Sequence, residues 1–321
     1  MTILVCGETL IDFLPEQRGP LKSVEGFRRR PGGAPANVAV GLSRLDAPVQ
    51  FWTRVGDDPF GDFLVDTLVD AGLSEMHIER DPTAKTGLAF VSLGTDAERE
   101  FSFHRTASAD TRLDPARVGS TLLSNVSWVH FGGVTLADEP ARTATFDLAR
   151  AARDAGATVS FDPNARPELW IDFDYAESLS TALSLADVAK VTDEDLAATE
   201  FDTEQSPESV AASVAAAGSH TVVLTLGSEG ALAYATPEAP WNETGEPQTV
   251  RHAGYAVDPV DTTGAGDGFT AGALAALAAG ESLAAAVEQG NAVAALTTTE
   301  PGAMTALPTR ESLAAFHAEQ S

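Results

Sequence analysis

The sequence predicts an α/β fold, a three-layer α/β/α sandwich with a mostly parallel central sheet and a small β-sheet standing off it as a lid. Three observations carry this. Short apolar runs alternate with segments of helical spacing along most of the 321 residues, the pattern of a parallel sheet covered on both faces. Two polar, turn-rich segments, at about 13–30 and 86–105, break that rhythm. A run of small residues, Asp261-Thr262-Thr263-Gly264-Ala265-Gly266-Asp267-Gly268, opens an Ala-rich helix. With 44% hydrophobic residues, the chain can bury a full core, and residues 1–321 are expected to form a single domain.

In chain order, Thr2 to Cys6 is a short apolar run ended by Gly7 and reads as a buried central strand. Ala34 to Leu45 has helical spacing behind Gly32 and Gly33. Gln50 to Val55 reads as a strand and Phe60 to Ala71 as a helix. Trp128 to Phe131 is strand-like, Ala141 to Ala155 helical, and Thr158 to Phe161 another strand. Val188 to Val191, Thr221 to Leu226 and Ala231 to Ala235 follow as strands, and Pro237 to Pro247 as a loop. Gly264 to Ala279 is a helix closed by Gly280. Within the second odd segment, Gly87 to Leu93 and Glu100 to Phe103 flank a polar turn at Thr95 to Glu98, a β-hairpin pattern.

Charge narrows the function. Asp and Glu number 47 against 20 Lys and Arg, a formal net charge of -27. That balance argues against nucleic acid and anionic membrane surfaces as partners, since both need clustered cations. The acid is scattered rather than gathered in a tail, with few Lys and many Ala. It reads as a surface built for high salt, where ions screen its self-repulsion, and a halophilic host is expected. The single cysteine, Cys6, lies in an apolar run, so no internal disulfide forms and a buried, inert thiol is expected. No apolar stretch is long enough to span a bilayer and no signal-peptide pattern opens the chain, so the expected location is cytoplasmic.

The chemistry concentrates at 261–268. Small residues let backbone N–H groups converge at a helix N-terminus, where the dipole favours an anion. Such an anion hole suits a transferring phosphoryl group. Asp267 stands at its rim, where a carboxylate would repel phosphate unless it has a task; accepting the proton of an attacking hydroxyl is one. The plainer reading of Asp267 is a helix-start acid worth up to about 1 kcal/mol. Other chemistries lack their residues: Gly56 and Gly61 have P-loop spacing but Asp62 stands where Lys belongs, one cysteine cannot build a zinc cluster, and no nucleophile elbow is present.

The 261–268 run resembles the signature of the ribokinase-like (PfkB) carbohydrate kinases, which transfer ATP phosphate to sugar hydroxyls. Gly32-Gly33-Ala34-Pro35-Ala36-Asn37 resembles that family's N-terminal signature, and Gly7-Glu8-Thr9-Leu10-Ile11-Asp12 its opening strand. Arg54 to Gly61 is similar to a further shared segment, so the resemblance covers nearly the whole chain. Phe161 to Trp170, and Phe103-His104-Arg105 with Ser108-Ala109-Asp110, point to the fructokinase branch, although His104 replaces a usual Tyr and Thr106-Ala107 a usual Asn-Pro. The nearest rival is 2-keto-3-deoxygluconate kinase, which shares the Asp-x-Asn-x-Arg pattern.

The resemblance implies a ribokinase-like fold with a ketose, fructose first among them, between sheet and lid, ATP across the helix N-terminus, and Mg²⁺ on the phosphates. Asp267 would be the base, with Gly264, Ala265 and Gly266 as the anion hole and Arg166 clamping phosphate. Asp12, Gly32, Gly33, Asn37 and Arg105 would meet the sugar. Lys190, Thr225, Gly227, Gly230 and Asn291 would meet the nucleotide. Asp261 and Thr263 would help hold a monovalent cation such as K⁺. The chain departs from the family at Thr192-Asp193-Glu194-Asp195, where many members carry Asn-x-x-Glu to organise magnesium through water; here either Glu194 or Asp195 would serve, or Thr192 simply caps a helix. The expected partners are a sugar, ATP and a second copy of the chain paired through the lid. Two rival functions are a sugar or nucleotide sensor on the same fold and a protein-docking role for the acidic face.

Overall fold

The computed structural model describes residues 1–93, 99–242 and 244–320. Its strands are β1 (Thr2–Cys6), β2 (Leu10–Pro15), β3 (Phe27–Gly32), β4 (Val49–Gly56), β5 (Ile78–Asp81), β6 (Leu88–Leu93), β7 (Arg99–His104), β8 (Val126–Gly132), β9 (Thr158–Asp162), β10 (Val188–Val191), β11 (Thr221–Thr225), β12 (Ala231–Ala235) and β13 (Gln248–His252). Its helices are α1 (Ala34–Arg44), α2 (Pro59–Asp70), α3 (Ala141–Asp154), α4 (Tyr175–Leu185), α5 (Asp193–Leu196), α6 (Pro207–Ala216), α7 (Ala265–Ala279), α8 (Leu283–Thr298) and α9 (Arg310–Gln320).

Nine strands form the main sheet in the order β13-β12-β11-β10-β9-β8-β1-β4-β5. Pairing is parallel from β11 to β5 and turns antiparallel only at β12 and β13. With cores on both faces, the period of two explains why β1 is apolar from Ile3 to Cys6. Leu4 and Cys6 join the core with Trp52, Phe131 and Phe161 under α3, α4 and α6. Ile3 and Val5 join the opposite core with Phe51 and Trp128 under α1 and α7. Burial pushes the Cys6 thiol far up, so it stays protonated.

Small residues set the closest contacts on the α1/α7 side. A methyl on Gly41 would press on Ala271, and one on Gly272 would press on the Gln289 carbonyl and Gly290. This proximity holds α1 and α7 side by side with both N-termini at the same end of the sheet.

The two odd segments form a separate four-stranded sheet, β3-β2-β6-β7. β2 pairs antiparallel with β3 and parallel with β6, which pairs antiparallel with β7. The turn expected at Thr95 to Glu98 lies outside the described residues. On one face Phe13 stacks on Phe90 at 4.9 Å between centroids, with Phe27 and Phe60 edge-on. On β7, Phe101 and Phe103, two residues apart, stack on one another at 5.7 Å.

Among the described residues no helix is long and apolar enough to cross a membrane. The buried acids there are Glu8, Asp81, Asp110, Asp162 and Asp195, so the remaining described carboxylates reach solvent. Salt should therefore stabilise the fold: the thermal midpoint is expected to rise from millimolar to molar potassium chloride. A midpoint that stays level or falls over that range rules out the high-salt surface.

Candidate active site

The C-terminal ends of β1, β9 and β10 and the N-termini of α1 and α7 converge on two adjoining cavities, as expected where open α/β sheets bind ligands. The smaller, about 190 Å³, lies between the main sheet and the four-stranded sheet; Asp12, Gly33, Asn37, Phe101, Arg166 and Asp267 are on its walls. The larger, about 720 Å³, is walled by Thr192, Glu194, Thr225, Gly227, Gly230 and Asn291 among others. Lys190 and Gly266 line both, so the start of α7 is the junction.

Helix α7 is preceded by its cap Gly264, whose φ of 79° is left-handed and favours glycine. A methyl there would press on Ala303. Ala265 N donates back to Thr262 O at 3.3 Å. The amides of Gly264, Gly266 and Asp267 have no backbone acceptor among the described residues. They are the orphan donors that a helix N-terminus offers to an anion. Asp261 shapes the approach: its Oδ1 accepts from Thr263 N and Oγ1 at 3.0 and 2.6 Å, and its Oδ2 from Gly302 N at 2.9 Å.

Asp267 sits at this junction and accepts a 2.7 Å hydrogen bond from Asn37 Nδ2. That contact joins the first turn of α1 to the first turn of α7. Burial pushes the Asp267 carboxyl up to about 6; the Asn37 bond lowers it, nearby Asp162 raises it, and Lys190 and Arg166 lower it. A carboxylate with that pKa is matched to general base work near neutral pH.

Gly33 caps α1 with φ of 105°, and a methyl there would collide with the Glu8 carbonyl. Gly32 leaves room for Asp12, whose carboxylate a methyl at Gly32 would strike. Gly33 thereby brings backbone to the wall of the smaller cavity, whereas Gly32 does not line it and acts by making room for Asp12. Arg166 lines that cavity too, donating Nη1 to the carbonyl of Ala165 at 2.7 Å, with its guanidinium 5.4 Å from the Phe101 ring centroid.

Arg105 is placed differently from its expected role at the sugar. It is 3% exposed and paired through Nη2 to Asp110 at 2.7 Å, with Nη1 3.6 Å from Asp138. It does not line the smaller cavity, and its ion pairs fasten the exit of β7. Asp195, one of the two acids expected to organise magnesium through water, has its oxygens engaged by the protein: Oδ2 accepts from Thr192 N and Oγ1 at 2.9 Å, and Oδ1 from Ala165 N at 2.8 Å. Thr192 and Asp195 thus form a capping box at α5, leaving exposed Glu194 on the larger cavity. Asn291 is on that wall with Nδ2 donated to Val287 O at 3.0 Å.

Sequence reasoning passed over Asp162, the last residue of β9. Lys190 Nζ lies 3.2 Å from its Oδ2, Thr270 Oγ1 donates to Oδ2 at 3.2 Å, and Asn164 N donates to Oδ1 at 3.1 Å. Burial opposes the Lys190 ammonium, but Asp162 and Asp195 outweigh it and raise its pKa, so it stays charged. An acid closing an apolar strand at the ligand-binding end of the sheet was the available signal. Glu8, after β1, carried the same signal, and the alternation in Phe101-Ser102-Phe103 pointed two rings to one face.

Comparison with known proteins agrees with this geometry. Residues 2–310 match the pfkB family of carbohydrate kinases. The chain is 37% identical over 320 residues to a probable chloroplastic fructokinase-6 of Arabidopsis thaliana, covering 97% of this chain and 81% of the relative. Its fold superposes on the ATP-bound fructokinase of Xylella fastidiosa with a TM-score of 0.85 at 34% identity, covering 99% of this chain and 98% of the other. A fructokinase double mutant of Vibrio cholerae in fructose-, ADP- and potassium-bound form superposes at 0.82 with 36% identity, covering 98% and 97%. With the paired cavities, the amide-lined helix start and its carboxylate in place, the chain belongs to the pfkB family and is a carbohydrate kinase.

Proposed function

We propose that this carbohydrate kinase is an ATP-dependent fructokinase. The observation that carries the reading is the junction at α7, where orphan amides and Asp267 stand between a sugar-sized cavity and a nucleotide-sized one. Relatives bearing the fructokinase name across nearly full length support fructose as the sugar.

Fructose would enter the smaller cavity, with Asp12, the Gly32–Gly33 backbone and Asn37 reaching its hydroxyls. Asn37 holds Asp267 in place, and Asp267 takes the proton of the attacking hydroxyl. ATP would lie along the larger cavity, past Thr225, Gly227, Gly230 and Asn291, with its γ-phosphate at the free amides of Gly264, Gly266 and Asp267 rather than at Ala265, whose N–H is taken by Thr262 O. Lys190 and Arg166 present positive charge where the phosphoryl group is transferred. Phe101 and Phe103 on the four-stranded sheet shield the sugar from water, the task of a lid.

Magnesium fits the nucleotide side. Exposed Glu194 lines the larger cavity together with Asp193 and Glu229, and phosphate-bound Mg²⁺ needs only one or two carboxylates beside its waters. When bound, it supplies charge neutralisation on the phosphates. Asp261 and Thr263, which bond each other while Asp261 also accepts from Gly302 N, would help hold a monovalent cation such as K⁺, which would add positive charge near the start of α7.

A coupled ADP-release assay over a panel of fructose, glucose, ribose and 2-keto-3-deoxygluconate tests the reading, followed by locating the phosphate on the product. Fructose is expected to give the highest kcat/KM. A faster turnover of the keto-deoxy acid would replace fructokinase with that rival, and binding without turnover would favour a sensor. We also propose that two copies pair through the four-stranded sheet, whose edge strands β3 and β7 offer unpaired backbone. Light scattering showing only monomers at micromolar concentration would refute the pairing.

A further inference from the structure

Glu8 is a buried acid on the wall of the smaller cavity that the phosphoryl-transfer scheme does not use. It follows β1 directly and precedes Leu10 and Asp12 by two and four residues; all three line the cavity, as the period of an extended chain places alternate residues on one face. Its Oε1 accepts from Ala34 N at 3.3 Å, at the start of α1 and on the same cavity wall. Its Oε2 is buried and has no hydrogen-bond partner among the described residues. A buried carboxyl oxygen left unsatisfied is costly and calls for an explanation. Around it stand the Arg105 guanidinium and, beyond, Asp110 and Asp138.

We propose that Glu8 is a sugar ligand: its orphaned Oε2 makes a hydrogen bond with one hydroxyl of the bound ketose and so helps decide which sugar the enzyme accepts. This rests on the fructokinase reading and adds a recognition contact to it. A site built to hydrogen-bond one hydroxyl rejects analogues that lack it, because the site's own polar atom is then left buried and alone. Burial raises the Glu8 carboxyl to about 7 while Arg105 draws it back, so near neutral pH the group can serve as acceptor or donor. Arg105 gains a role from the same arrangement: held by Asp110 and Asp138, it places its charge behind Glu8.

Glu8→Gln keeps the shape and an oxygen for Ala34 N. It is expected to raise the KM for fructose about 10- to 100-fold, the range for a hydrogen bond to a charged group. The KM for ATP should stay within about two-fold, since Glu8 does not line the larger cavity. A set of fructose analogues each lacking one hydroxyl then locates the contact. One analogue should bind wild type poorly yet bind both enzymes alike, whereas the others keep the full difference. A loss spread evenly over every analogue and ATP would mean that Glu8 only shapes the start of α1, and would overturn the assignment. So would a fructose KM within about two-fold of wild type. A wild-type enzyme inert with fructose would instead strike the fructokinase reading itself. Should Glu8→Gln not fold, infrared difference spectra of wild type with ¹³C-labelled glutamate decide: a labelled carboxyl band must shift on adding fructose, and an unchanged band refutes the contact.

Discussion

Replacing Asp267 by Asn is expected to lower kcat by roughly 10²–10⁴, the usual contribution of a positioned general base, while fructose still binds. The exchange is close to isosteric, and the new amide can accept the Asn37 hydrogen bond through its oxygen, so α1 and α7 stay joined. What is lost is the ability to take a proton. Wild-type kcat, measured at saturating sugar so that titration of Glu8 in the free enzyme does not enter, should fall in an acid limb, since a protonated Asp267 cannot act and burial already holds its carboxyl above the ordinary range in the free protein. That limb should be missing from the residual activity of the variant. Stability should move the other way. The folded carboxyl, at about 6, lies above its ordinary 3.8, so below that lower value folded and unfolded chains are both protonated and nothing is lost. As pH rises through the window between the two values the unfolded chain ionises first, and wild type loses stability by about 1.4 kcal/mol for each pKa unit. The uncharged amide of the Asp267→Asn variant escapes this loss. The variant should therefore melt higher than wild type at neutral pH and level with it at about pH 3. Activity within a few-fold of wild type would remove Asp267 from the role of base, and a lower melting point at neutral pH would contradict its burial cost.

The division between what the chain discloses and what it hides follows the range of the interactions. β1 and β12 were readable to the residue because runs that are apolar almost throughout, under two-sided cover, mark their own ends, and β10 was too, although Lys190 interrupts its run. The start of α7 was equally plain: Gly264 and Gly280, at φ of 79° and 86°, bound the helix by backbone geometry written into single residues. β13 was not legible, because a half-exposed edge strand with a polar sequence has neither period to display. Nor were the roles of Arg105 and Asp195. A motif says that a charge stands at a place in the chain, but whether it faces a cavity depends on partners elsewhere, here Asp138 for Arg105 and Ala165 for Asp195. Asp162 shows the same limit from the other side, since its weight in the site comes from Lys190 and Thr270, 28 and 108 residues away.

That ion pair should have a large energetic signature. Asp162→Ala leaves the Lys190 ammonium in a mostly closed site, with side-chain exposures in the pair of only 7% and 12%. Removing one partner of a buried pair costs about 3–5 kcal/mol, because the other charge remains without compensation. Much of this loss should return in Asp162→Ala with Lys190→Met, since dropping both charges removes the cause of the strain; activity should not return, because Lys190 lies on both cavities. Denaturant melts of the two singles and the double measure the coupling. The single variant should also move the acid limb of kcat. Asp162 raises the Asp267 carboxyl and Lys190 lowers it, so losing the first and releasing the second act together to bring the limb to lower pH. A double variant no more stable than Asp162→Ala, or a limb that stays in place or rises, would show that Asp162 neither balances Lys190 nor tunes the base, and the charge arrangement at the junction would need another account.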